Sequence, residues 1–196
     1  MASINSLSIF SAGWLAARMC FQHGKRVWWV AVLVLLPNAA AQADSTRALF
    51  AATLTGLDGQ PIALAQYQGK PLIVNFWARW CQPCRTEIPE LVKLHRDYQS
   101  RGLEVLGIAL EGKVEPVRDF AKSYRMDYPV VLAQTNGQAL MRSLGNPRMG
   151  LPFTVAIDRT GKLVTIRLGA LHGKELVAIA EAAINDRPSQ PHRTAR

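Results

Sequence analysis

The stretch VNFWARWCQPCRTEIP, Val74–Pro89, is where the reading of this chain begins. Its first residues close an almost uninterrupted apolar run, PLIVNFW over Pro71–Trp77. Such a run suits a strand buried on both faces. A helix is expected from about Pro83 to Ser100, because Ile88, Leu91, Val92, His95 and Tyr98 recur on one face at helical spacing. Pro83 fits a first helical turn, where a missing N–H costs nothing. Pro89 lies inside the helix and should kink it. Cys81 and Cys84 therefore stand where a buried strand hands over to a helix. Backbone N–H groups there lack partners, and the helix dipole favours negative charge. A sulfur at Cys81 would have its thiolate stabilised and its pKa lowered. Cys84 follows one turn later on the same face, within reach of that sulfur. Cys81 is the expected exposed, attacking sulfur and Cys84 the more buried, resolving one. Arg79 and Arg85 are expected to add modest thiolate stabilisation.

On the N-terminal side, Leu54–Leu64 carries Asp58-Gly59 between apolar stretches, a hairpin signal. Residues 44–48 read as a linker. On the C-terminal side, Leu103–Leu110 reads as a second buried strand, Val114–Arg125 as an amphipathic helix and Pro129–Leu132 as a short strand. A short helix over Gln138–Leu144 follows. Phe153–Asp158 and Lys162–Leu168 read as strands joined by a turn at Asp158–Gly161, and Glu175–Ile184 as a closing helix. A hairpin, then β-α-β-α-β, then a short helix and β-β-α, imply an α/β sheet with parallel and antiparallel parts.

The chain has 196 residues, 49% hydrophobic and 19% charged, an ordinary composition for one globular domain. The apolar run Val27–Leu36 follows Lys25 and Arg26, stops at Pro37 and precedes Ala41-Gln42-Ala43. That order matches a secretory signal cut after Ala43. An uncleaved membrane anchor over the same 1–43 segment is the alternative, although a spanning helix needs about 20 apolar residues. Translation starting at Met19 would give a leader of more usual length. Residues 49–185 then form the domain, and 186–196 a disordered tail with two prolines and no apolar anchor.

Loss of the first 43 residues would leave 20 basic and 14 acidic side chains of a chain with formal charge +9. No basic block or basic helix with interleaved aromatics remains, so no nucleic-acid partner is expected. Cys20 would leave with the leader, and the two remaining cysteines close too small a loop to staple a domain. Export places them where disulfides persist. A lone CxxC is also half of a zinc site. A zinc site needs two more ligands, and His95 and His172 are the only histidines of the expected domain. No metal or organic cofactor is expected, although copper(I) held by the two thiolates stays chemically reasonable.

Val74–Pro89 resembles the active-site strand, turn and kinked helix of the thioredoxin superfamily, most closely its exported TlpA/ResA-like branch. A second matching string, Gly150-Leu151-Pro152-Phe153-Thr154 followed by Ile157-Asp158 and Gly161, lies about 70 residues downstream. The resemblance covers about Leu49–Ile184. It implies a thioredoxin-like fold: a central mixed sheet flanked by helices, with an N-terminal β-hairpin and an inserted element between Leu110 and Asn146. It implies that Pro152 is cis and packed opposite the cysteines, leaving the backbone of Leu151 free to bind an extended substrate segment. Trp80 is expected to shield the active-site edge and touch substrate. Asn75 stands where cytosolic thioredoxin has a buried aspartate. Glu87 matches the branch's acidic residue, which implies a partly buried carboxyl moving protons to or from Cys84.

The implied activity is that of a protein-disulfide reductase. It is periplasmic, or tethered to the membrane and facing outward, and acts through Cys81, Cys84 and Glu87. The expected substrates are disulfide-containing exported proteins such as apocytochrome c. The expected electron donor is a membrane thiol-transfer protein, and the expected state is a monomer. A disulfide-donating oxidase of the same fold and a copper carrier or assembly factor are the alternatives. A peroxidase of related fold is disfavoured, because Ala78 stands where its pattern needs Thr or Ser.

Overall fold

A computed structural model describes residues 39–185. The order is α1 (Ala39–Phe50), β1 (Thr53–Gly56), β2 (Pro61–Ala63), β3 (Leu72–Trp77), α2 (Gln82–Tyr98), β4 (Glu104–Ala109) and α3 (Val114–Ser123), then β5 (Val130–Leu132), α4 (Asn136–Ser143), β6 (Phe153–Ile157), β7 (Leu163–Leu168) and α5 (Lys174–Ile184). The seven strands form one sheet in the order β2-β1-β5-β4-β3-β6-β7. β3 pairs in parallel with β4, and β4 with β5. The β1–β2 hairpin, β6 and β7 add antiparallel pairs. The fold is thioredoxin-like, as the resemblance implied.

β3 is an interior strand, between β4 and β6, and all six of its residues are buried. The pleat divides them. Ile73 and Trp77 enter the core under α2, α3 and α5, with Ile88, Leu91, Val117 and Ile179. Leu72, Val74 and Phe76 enter the other core, with Leu49 of α1, Met141 of α4 and Phe153. Asn75 shares the pleat face of Ile73 and Trp77. It stands directly opposite Thr154 of β6 and beside Gly107 of β4. A Cβ at position 107 would lie 3.1 Å from both Trp77 Nε1 and Tyr128 Cε2. The glycine lets those two rings close over the sheet.

The linker expected over residues 44–48 is corrected: the segment belongs to α1. Thr46 and Leu49, one turn apart, are buried. The Thr46 hydroxyl donates to the Gly161 carbonyl at 2.8 Å. Its only strongly apolar residues, Leu49 and Phe50, are adjacent in the last turn, too sparse a pattern to read from sequence. Most of the expected leader (1–38) and the expected tail (186–196) lie outside the described residues. No helix among the described residues is long and apolar enough to cross a membrane.

Candidate active site

β3 ends at Trp77, and the chain turns through Ala78–Trp80 into α2. Cys81 is the N-cap of that helix: its sulfur accepts from the Cys84 N–H at 3.3 Å, and its carbonyl from the Arg85 N–H at 3.2 Å. Pro83 occupies the first turn, where no N–H is needed. Cys81 and Cys84 are joined as a disulfide. Cys81 retains 5% of its surface and Cys84 1%. Cys81 is the less deeply buried of the two, but it is buried rather than exposed as expected. Its neighbour Trp80 is 73% exposed. Trp77 is fully buried and stacks on Phe120, which stacks on Tyr124.

The expected help from arginines is corrected for Arg79. Its backbone N–H and its guanidinium are both held by the Glu111 carboxylate, at 2.7 and 2.6 Å, which offsets its charge. Arg85 donates to the Tyr124 hydroxyl at 3.0 Å. His95 lies beside Asp127, its Nδ1 3.3 Å from the carboxylate. Among the described residues, no group of three His, Cys, Asp or Glu side chains is placed to hold a metal.

Glu87 lies one turn beyond Cys84 and is fully buried, more deeply than expected. Oε2 accepts from Asn75 Nδ2 at 3.0 Å. Oε1 accepts from the Leu171 N–H at 3.2 Å and lies 3.5 Å from the Thr154 hydroxyl. Burial pushes the carboxyl from its ordinary 4.5 up to about 7, while these three groups hold it back. The carboxyl thus changes charge near neutral pH, the range useful to a proton carrier.

The peptide bond Leu151–Pro152 is cis, as the resemblance implied. Pro152 is buried and Leu151 half-buried. Two residues on, Thr154 touches Glu87, so the strand that carries the cis-proline and the helix that carries the cysteines meet at this carboxyl. Sequence reasoning assigned no role to Thr154 or Leu171, and saw Asn75 only as the residue in place of a buried aspartate. It also missed Asn146, which is buried and pinches the loop before Leu151. Its amide donates to the Gly150 carbonyl at 2.8 Å, and its side-chain oxygen lies 3.3 Å from the Gly150 N–H. Asn75 and Thr154 were within reach of sequence analysis, being polar residues inside otherwise apolar strands. Leu171 contributes only its backbone and leaves no such trace.

The AhpC/TSA family profile matches residues 46–167. The chain belongs to the AhpC/TSA family. Among curated relatives in the comparison, thiol-disulfide oxidoreductase ResA of Bacillus subtilis (strain 168) is 33% identical over 118 residues, covering 60% of this chain and 64% of the relative. ResA of Bacillus thuringiensis subsp. konkukian is 31% identical over 111 residues, 57% of this chain and 62% of the relative. The chain thus spans somewhat under two thirds of the length of these relatives. A solved thiol:disulfide interchange protein of the thioredoxin family from Chlorobium tepidum TLS superposes with a TM-score of 0.59 at 31% identity. The match covers 68% of this chain and 92% of that one. The two Bacillus relatives bear the ResA name of the branch that the sequence resembles.

Proposed function

We propose that this protein is a thiol–disulfide oxidoreductase of the cell envelope that reduces disulfides of exported proteins. The observation that carries this reading is the Cys81–Cys84 disulfide at the start of α2 with a buried Glu87 beneath it. In the reduced enzyme, the helix N-terminus stabilises the Cys81 thiolate. That thiolate attacks a substrate disulfide, forming a mixed disulfide and releasing one substrate thiolate. Glu87 takes the proton of the Cys84 thiol, and the Cys84 sulfur attacks Cys81. The enzyme disulfide forms, and the second substrate sulfur leaves and takes up a proton. Trp80 borders the attacking sulfur and contacts the bound segment. The backbone of Leu151, ahead of Pro152, pairs with it.

The names of the relatives support the reaction class. The apolar Val27–Leu36 run and the Ala41-Gln42-Ala43 pattern support export to the periplasm, with the chain free or tethered. A membrane thiol-transfer protein then re-reduces the pair, and apocytochrome c is a fitting substrate. We take the working form to be a monomer.

The test is turnover with a disulfide-containing exported protein under a thiol donor. The wild-type protein should accelerate its reduction, and Cys81→Ser should return the rate to that of the donor alone. Equal rates with wild type and Cys81→Ser would end the reading.

A further inference from the structure

Glu87 must exist in two charge states without leaving a fully buried site. Two of its three partners, Asn75 Nδ2 and the Leu171 N–H, are fixed donors that favour the carboxylate. Neither can accept a hydrogen from the protonated acid, so these two alone would leave the acid's O–H unpaired. An unpaired buried donor is costly.

Thr154 is the exception. Its hydroxyl faces Glu87 Oε1 at 3.5 Å, the longest of the three contacts, and a hydroxyl rotates to donate or to accept. Its oxygen already accepts from the second hydrogen of Asn75 Nδ2 at 2.9 Å, which holds it in place and leaves one lone pair. Asn75 and Thr154 are cross-strand partners on the face that meets α2, so sheet register fixes the arrangement.

We propose that Thr154 is a positioning residue of the reaction: its hydroxyl donates to Glu87 Oε1 when the carboxyl is charged and turns to accept from Oε1 when the carboxyl carries the proton. The inference rests on the reading of Glu87 as proton carrier. During resolution, the proton leaves the Cys84 sulfur for Oε1 and the Thr154 hydroxyl turns. The Cys84–Cys81 bond forms as the Cys81–substrate bond breaks, the electron pair departing on the substrate sulfur. Each carboxyl oxygen faces one fixed donor, and the hydroxyl that can accept lies against Oε1, which assigns the proton to that oxygen. Other titratable groups near Glu87 are Cys81 and Cys84 on its own helix and the buried Tyr128 ahead of β5. β3 and β6 contribute only the neutral Asn75 and Thr154, and the His172 side chain next to Leu171 is exposed.

The experiment compares wild type, Thr154→Val, Thr154→Ser and Glu87→Gln. It follows the Glu87 carboxyl by 13C NMR across pH, and the release of substrate thiol in a single turnover of the preformed mixed disulfide. Thr154→Val keeps the shape and removes the hydroxyl. It should slow release about tenfold near neutral pH and displace the Glu87 midpoint, while Thr154→Ser restores both. If Thr154→Val does not fold, Thr154→Ala serves with the same expectation. A hydroxyl-free variant that folds and keeps the wild-type midpoint and release profile, while Glu87→Gln loses that profile, would overturn the proposal and leave the role of Glu87 standing. A wild-type release profile in Glu87→Gln would overturn the role of Glu87 and the proposal with it.

Discussion

Replacing Glu87 by Gln should change how stability depends on pH, by an amount that follows from the site. Burial raises the carboxyl from its ordinary 4.5 to about 7 in the folded protein. Between those values the folded state holds this proton and the unfolded chain does not. The stability gained from tighter proton binding is fully present below the unfolded value and is lost as pH rises through the folded one. At about 1.4 kcal/mol per pH unit, the loss between about pH 4 and pH 8 comes to about 3 kcal/mol. Gln has no proton to lose there, and the other titrating groups are common to both proteins. The stability of wild type minus that of Glu87→Gln should therefore fall by about 3 kcal/mol from about pH 4 to about pH 8. The fall should be steepest between the two midpoints. Urea unfolding of the oxidised proteins at a series of pH values measures the difference. The constant offset between the two proteins is a separate quantity. Gln turns an N–H₂ toward a site whose fixed partners are donors, which shifts the whole curve without tilting it. A difference that stays flat within about 0.5 kcal/mol would refute the reasoning, because a carboxyl so buried must couple its proton to folding.

Three further outcomes are expected. Cys84→Ser should accumulate a mixed disulfide through Cys81 with a disulfide substrate, seen by non-reducing electrophoresis and mass spectrometry, whereas Cys81→Ser should accumulate none. Trp80→Ala, at a side chain 73% exposed, should leave stability within about 0.5 kcal/mol and raise the KM for a protein substrate, read from thermal melts and steady-state kinetics. Gly107→Ala places a methyl 3.1 Å from the rings of Trp77 and Tyr128 and should cost about 1–3 kcal/mol in urea unfolding.

Much of the fold was legible because its strands are short apolar runs and its helices have one apolar face. The run Pro71–Trp77 became β3, and the spacing of Ile88, Leu91 and Val92 became the core face of α2. The cysteines were legible because their chemistry is tied to a local string, and the cis-proline only through the resemblance of the string around it. What stayed hidden depends on distance in sequence. α1 holds on through Thr46 and Leu49, and the hydrogen bond from Thr46 spans 115 positions to Gly161. Glu87 is bonded by Asn75, 12 positions away, and by Leu171, 84 positions away. Spacing along α2 put Glu87 on the same side as Cys84, but only the sheet register that sets Asn75 against Thr154 shows that the carboxyl is buried and surrounded by donors. Arg79 looked like a free charge beside the sulfur because its partner Glu111 lies beyond the next strand.

The central claim is that Cys81 and Cys84 form a redox pair that works as a reductant. The most direct measurement is the reduction potential of that pair in the protein from Asp44 onward, equilibrated with defined thiol buffers. The account predicts a value near or below about −250 mV, close to thioredoxin. A value near about −120 mV, in the range of disulfide donors of the DsbA type, would contradict it.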